Sequence, residues 1–251
     1  MKKLIYETIG KFGNTLFGIF NLLSQCDKII LRSFYPISED DKKLFSLVFK
    51  DKIVYDNKEL RPKNLHGNPH IILNSIYNDN DIVEGFFQYM PDVNIIQKYR
   101  DILSEIISTN DYIVIHVRRG DFMFPQNNTK HATMCKDYYK KAMSYFPKDS
   151  KFMVVSDDIE WCKENIKAEN ITYSNGDMYT DFCLLLGAKG IIYGNSTFGY
   201  WGALLNPVKD KLVVANKFWY KNSHKEWNQS YDKLYPENYP DKIKLLNFLY
   251  M

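Results

Sequence analysis

An α/β architecture with a doubly wound parallel sheet in its second half is expected from these 251 residues on three grounds. From residue 112 onward, short β-rich runs alternate with helical stretches, and the links between them are short. With 45% hydrophobic and 25% charged residues the chain can bury a sizeable core. Strands that alternate with helices in this way imply a parallel sheet covered on both faces, which binds ligands beyond the carboxyl ends of its strands.

Residues 16–23, Leu-Phe-Gly-Ile-Phe-Asn-Leu-Leu, read as a buried helix that opens just after a Gly13-Asn14-Thr15 turn, and residues 28–31 as a short buried strand. Residues 36–80 mix charges, Pro62, Pro69, Asn and Asp with short apolar runs, which suits a small α/β region with long connections. Between residues 91 and 108, Val93, Ile96, Tyr99, Leu103, Ile106 and Ile107 recur at three- and four-residue spacing, predicting an amphipathic helix that ends the first half. Strands are then predicted over 112–117, 152–155, 190–193 and 212–215. Helices are predicted over 136–146, 159–165, 181–187 and 200–206, and the tail, 227–251, is rich in Tyr and Pro before a final apolar helix. The expected domains are residues 1–108 and 109–251.

Lys+Arg 33 against Asp+Glu 30 leaves a formal charge of +3, too balanced for a chain that coats nucleic acid or an acidic membrane. Cys26, Cys135, Cys162 and Cys183 form no C-x-x-C pair, which argues against a zinc site and a disulfide framework and for reduced, buried thiols. The start of the chain is charged but lacks an apolar signal region, and no window approaches the roughly 18 uninterrupted apolar residues of a membrane span. The expected location is therefore the cytoplasm of a bacterium or of a virus's host, with peripheral membrane association left open. The N-x-S/T triplets at Asn127, Asn170, Asn195 and Asn228 are chance matches in an Asn-rich chain without a secretion signal.

His116-Val117-Arg118-Arg119-Gly120-Asp121 follows a strand directly, so two guanidinium groups stand where an α/β sheet presents its ligand. A guanidinium is a planar, permanently charged fork that bonds phosphate oxygens bidentately, and a diphosphate is its natural guest. The plainer alternative is a surface arginine pair bridged to Asp121. Ser156-Asp157-Asp158 and Asn195-Ser196-Thr197 share the post-strand placement, and the latter can cap a helix starting near Phe198 and bind an anion at its positive end. His131, Asp121 and Glu84 are candidate general bases toward a bound hydroxyl, with late proton transfer that needs no strong base as the alternative. Asp79-Asn80-Asp81 is a literal D-x-D, but Asn and Asp favour turns, and we expect a loop rather than a metal site. Arg119-Gly120-Asp121 spells an adhesion tripeptide in a setting unsuited to receptor binding, and Trp161 and Trp201 are expected to pack in the core.

The ordered motifs His116 to Asp121, Ser156-Asp157-Asp158-Ile159-Glu160-Trp161-Cys162 and Asn195 to Asn206 resemble those of the α-1,2-fucosyltransferases, glycosyltransferase family 11. Gly10-Lys11-Phe12-Gly13-Asn14-Thr15 resembles that family's N-terminal G-x-x-G-N-Q loop, Glu84-Gly85-Phe86-Phe87-Gln88 its G-Y-F-Q segment, and residues 131–139 its histidine-to-tyrosine-pair stretch. Thr15 stands where the family has glutamine, and Gly199-Tyr200 where it has a Ser-Trp pair. The resemblance implies a GT-B-like, two-lobed, inverting transferase, with residues 1–108 on the acceptor side and residues 109–251 binding the donor. It would move L-fucose from GDP-fucose to a glycan hydroxyl, the 2-hydroxyl of a terminal galactose, with no metal or other cofactor. By motif position, Arg118 would hold the β-phosphate with Arg119, Asp157 and Asp158 in support, and His116 and Asp181 would meet the guanine end. Asn195, Ser196 and Thr197 would contact the diphosphate, Gly13 and Asn14 would lie near the reacting sugar, and Arg118, Asp121 and His131 would serve catalysis. Partners would be GDP-fucose and a glycan acceptor. A transferase using another nucleotide sugar and an inactive glycan- or nucleotide-binding homologue are the alternatives.

Overall fold

The computed structural model describes residues 1–8, 10–56, 77–85 and 87–221, and the backbone of a strand at Lys242–Leu246. Pro62 and Pro69, much of the 36–80 region, Phe86, the Asn228 triplet and most of the tail lie outside the described residues. The contacts divide the chain into two units, Met1–Leu103 and Ser104–Met251.

The first unit runs β1 (Lys3–Thr8), α1 (Phe12–Leu22), β2 (Lys28–Ser33), α2 (Glu39–Phe49), β3 (Ile53–Tyr55), β4 (Ile82–Glu84) and α3 (Val93–Ser104). Its strands form a parallel sheet in the order β3-β2-β1-β4. β1 alternates buried and half-buried residues, the period of a strand with one face on a core, and was not foreseen. α1 is predominantly apolar and almost wholly buried. It takes in Gly13, Asn14 and Thr15, which we expected to form a turn before it. The Thr15 hydroxyl bonds back to the Lys11 and Gly10 carbonyls, so local bonding and burial override the turn preference of Gly-Asn. α2 begins with a complete capping box between Ser38 and Asp41. α3 stops at Ser104, short of the expected 108, leaving Ile106 half-exposed. Asp79-Asn80-Asp81 is a turn: Asp79 accepts the Lys3 amide at 2.8 Å, Asp81 the Asn78 amide at 2.6 Å, and Asn80 is left-handed with φ 65°.

The second unit contains β5 (Tyr112–Val117), α4 (Pro125–Asn128), α5 (Lys136–Met143), β6 (Lys151–Ser156), α6 (Ile159–Asn165) and β7 (Ile171–Tyr173). It continues with α7 (Met178–Gly187), β8 (Gly190–Tyr193), α8 (Thr197–Leu205), β9 (Leu212–Asn216) and β10 (Lys242–Leu246). The sheet is parallel throughout, in the order β10-β9-β8-β5-β6-β7. The chain therefore winds outward from β5 through β6 and β7, then crosses back to β8 and winds the other way. The reversal between β5 and β8 opens a crevice at the carboxyl ends of the strands, the usual ligand position of doubly wound sheets. β5 and β8 are buried along almost their whole length, as central parallel strands require. β10 corrects the expected C-terminal helix: Lys242-Ile243-Lys244-Leu245 alternates with period two and pairs with β9. The four cysteines are unbridged, with Cys162 buried and the others half-buried. Among the described residues no helix is long and apolar enough to cross a membrane.

Candidate functional site

Strand register assembles the site. Val117 at the end of β5 pairs with Ser156 at the end of β6, so the next residues, Arg118 and Asp157, leave the sheet side by side. On the other flank His116 pairs with Tyr193 of β8, which brings the Asn195-Ser196-Thr197 turn alongside the arginines. Three motifs far apart in the sequence thus meet at the carboxyl ends of neighbouring strands because parallel neighbours end together.

The two arginines are held differently. Arg118 donates through one terminal nitrogen to Asp157 and through the other to Asp121, and its guanidinium lies 5.3 Å from the centre of the Phe122 ring. Arg119 donates from Nε to Asp158 at 2.8 Å and stacks on Trp161 at 3.9 Å, so Trp161 serves as a platform for this cation as well as packing against Tyr139. Asp158 is also the N-cap of α6, accepting the Trp161 amide. Asp157 is the hub of the turn: Oδ1 accepts the Arg119 amide at 2.8 Å and the Gly120 amide at 3.1 Å, while Oδ2 meets Arg118. Gly120 makes this possible, because a Cβ there would stand 2.4 Å from Asp157 Oδ2. Two guanidinium groups are thus met by three carboxylates.

Across the crevice, Ser196 caps α8 through the Gly199 amide, and Asn195 is anchored by its side-chain amide donating to the Trp219 carbonyl at 2.5 Å. Thr197 opens the helix, whose first-turn N–H groups form its positive end. Gly199 lets this turn sit close on the sheet: its Cβ would come within 2.8 Å of Tyr193 and 3.1 Å of His116 Nδ1. His116 is buried, and its ring packs on Phe198 at 5.3 Å. Burial, aided by the Arg118 charge, pushes its pKa down to about 3, so the imidazole is neutral near pH 7. Its Nδ1 is buried without a hydrogen-bond partner, on the side of the ring that meets Gly199. Phe198 packs in turn on Phe182 of α7 at 5.0 Å, next in sequence to Asp181. Asp181, in the first turns of α7, accepts the Ser174 hydroxyl at 2.5 Å; burial raises its pKa to about 6, outweighing that hydrogen bond.

His131 lies flat on Phe122, ring centres 4.2 Å apart and planes 3° apart, with Tyr220 tilted against it at 5.3 Å. This column continues the Arg118–Phe122 contact. Phe122 and Tyr220 escaped the sequence reading; their only signal was position, since each follows a strand by a few residues. In the first unit, and described by itself, Asn14 accepts the Gln88 amide at 3.0 Å and Gly13 is buried in α1. Glu84 ends β4 in an exposed position. Among the described residues no group of three or more His, Cys, Asp or Glu side chains is placed to hold a metal ion.

The fold is that of the GT-B glycosyltransferases: the chain is similar to the Escherichia coli heptosyltransferase WaaC with ADP, with a TM-score of 0.50 at 7% identity, over 97% of this chain and 90% of that one. The protein belongs to glycosyl transferase family 11, which residues 89–237 match. It is 27% identical over 173 residues to the O-antigen biosynthesis glycosyltransferase WbnK of Escherichia coli, covering 55% of this chain and 56% of that protein. It is 30% identical over 129 residues to an alpha-1,2-colitosyltransferase of Escherichia coli, covering 47% and 44%. It is 36% identical over 120 residues to galactoside alpha-(1,2)-fucosyltransferase 1 of Rattus norvegicus, covering 44% and 32%. The matched stretches span about half or less of these curated relatives.

Proposed function

We propose that this chain transfers L-fucose from GDP-fucose to the 2-hydroxyl of a terminal galactose, inverting the sugar carbon and using no metal. The acceptor oxygen attacks the anomeric carbon, the bond from that carbon to the β-phosphate oxygen breaks, and GDP leaves with the electron pair. The acceptor proton passes to a base, for which Asp121 and His131 are the candidates beside Arg118. The observation that carries this reading is the arginine pair at the end of β5, whose other neighbour in the sheet, β8, leads into the capped start of α8. In this reading both features offer N–H donors to a departing diphosphate as it gains negative charge, and donors aimed in advance at a transition state lower its barrier. In this scheme Arg118 meets the β-phosphate, Ser196 and Thr197 the diphosphate, and His116 and Asp181 the guanine. Asn14 of the first unit is assigned to the sugar, following the motif it shares with the family. Asp157 and Asp158 act through the arginines they hold. The colitosyltransferase among the relatives favours a second reading, in which the same site takes another nucleotide sugar.

A nucleotide panel tests the donor. A ligand that binds only the folded state raises the melting temperature, so GDP and GDP-fucose are expected to stabilise the protein while UDP, ADP and CMP do not. Equal stabilisation by all of them would defeat the guanine assignment. Transfer from GDP-fucose that persists in excess chelator, with linkage read by mass spectrometry, tests the rest.

Asp181 gives this binding a pH dependence. The N–H edge of guanine needs an ionised carboxylate as acceptor, and Asp181 takes up a proton as pH falls through about 6. The GDP-induced rise in melting temperature is therefore expected to shrink between pH 7.5 and 5. In Asp181→Asn it should be small and nearly flat with pH. The effect on folding alone has the opposite sign: a raised carboxyl pKa contributes stability at low pH that is lost as pH rises through about 6. A GDP response that is constant from pH 7.5 to 5 in the unaltered protein would remove Asp181 from the guanine site.

A further inference from the structure

Single exposed apolar side chains are ordinary, but adjacent ones on a rigid element next to a reactive centre are not. Met123 and Phe124 are 40% and 54% exposed, immediately after the arginine turn. They do not belong to a loose loop. The Met123 amide donates to the Arg119 carbonyl at 3.1 Å and the Phe124 amide to the Asp121 carbonyl at 3.3 Å. The Asn127 side chain donates to that same Asp121 carbonyl at 2.9 Å. Pro125 then starts α4, fixing the chain direction. Beside them, Phe122 is locked between Arg118 and His131. The result is an apolar ledge built rigidly onto the turn that carries Arg118.

We propose that this ledge is the acceptor subsite: a pyranose ring lays one of its C–H faces on Phe124 and Met123, with its hydroxyl edge turned toward the Asp121 side. The inference rests on the transferase reading. The acceptor is favoured over the donor sugar because the donor is positioned through its diphosphate, whereas a neutral saccharide has no charged handle. Such a ligand depends on apolar and aromatic contact together with a few convergent polar groups.

The experiment compares Phe124→Ala, Met123→Ser and Phe124→Trp with the unaltered protein, using GDP-fucose and a panel of lactose, N-acetyllactosamine and methyl β-galactoside. Acceptor KM, melting temperature with GDP, and GDP release without acceptor are read in parallel. Phe124→Ala is expected to raise acceptor KM about tenfold, equivalent to about 1.4 kcal/mol of binding. Met123→Ser should do so less, and Phe124→Trp should match or improve on the parent. GDP stabilisation and acceptor-free GDP release should not change, since neither residue is assigned to the donor. Unchanged acceptor KM in Phe124→Ala overturns the proposal. So does a changed rate of acceptor-free GDP release, which would place the donor sugar there, or a parent protein that releases GDP from GDP-fucose yet transfers to no saccharide of the panel. Failure of the underlying reading looks different: the unaltered protein would neither be stabilised by GDP nor release it from GDP-fucose.

Discussion

Arg118→Ala is expected to lower kcat for sugar transfer by at least about a hundredfold, the loss seen when one preorganised donor to a developing oxyanion is removed, roughly 3 kcal/mol. The geometry explains why so much rests on one side chain. Two nitrogens of the guanidinium are bonded to Asp157 and Asp121, which fixes its plane and offsets its charge but leaves N–H donors free of these carboxylates. It is also only partly enclosed, with 25% of the side chain exposed at the crevice. A phosphate arriving there meets a donor that needs no reorganisation. Arg118→Lys is expected to recover little, because one ammonium cannot hold two carboxylates and present a flat donor edge to phosphate. Since the interaction strengthens as charge moves onto the leaving group, kcat and kcat/KM should fall together. Steady-state rates with GDP-fucose would check this, and near-normal turnover in Arg118→Lys would refute the assignment.

What could be read from the sequence divides along a physical line. β5, β6, β8 and β9 are continuous apolar runs bounded by turn residues, and buried parallel strands leave that trace. β7, Ile171–Tyr173, is too short to show a period, and β1 was hidden because its alternation begins at the third residue of the chain. Gly13 and Asn14 misled because they are poor helix formers in isolation, yet α1 is held by burial rather than by intrinsic propensity. The site motifs were legible as post-strand turns, and so was their convergence on one sheet edge. The partners of each side chain were not. That Asp157 would face Arg118 follows from the pairing of Val117 with Ser156, a register that neither segment carries alone. Trp161 beneath Arg119 likewise depends on how α6 is capped by Asp158.

The Asp157 hub yields the second large effect, and its two functions can be separated. Asp157→Ala removes the acceptor of the Arg119 and Gly120 amides together with the anchor of Arg118. Leaving such donors without a partner costs about 1–3 kcal/mol, so the melting temperature should drop and kcat should fall by about a hundredfold. Asp157→Asn keeps one carbonyl oxygen for the two amides but turns an NH2 group toward the guanidinium. The turn should then survive with a nearly unchanged melting temperature while Arg118 loses one of its two tethers, for a loss in kcat of about tenfold. Gly120→Ala approaches the same point from the other side: its added methyl carbon would overlap Asp157 Oδ2, displacing the carboxylate without altering any charge. It should therefore resemble Asp157→Ala in rate. An opposing electrostatic term sharpens the comparison. The cluster carries three carboxylates against two guanidinium groups, so neutralising Asp157 lessens repulsion of a diphosphate and should leave GDP binding intact or tighter in Asp157→Asn. Weaker rate with undiminished GDP binding is the signature of a residue that orients Arg118. Weaker rate with equally weaker GDP binding would instead make Asp157 part of the binding surface, and an Asp157→Asn enzyme as fast as the parent would show that Arg118 needs no such hold.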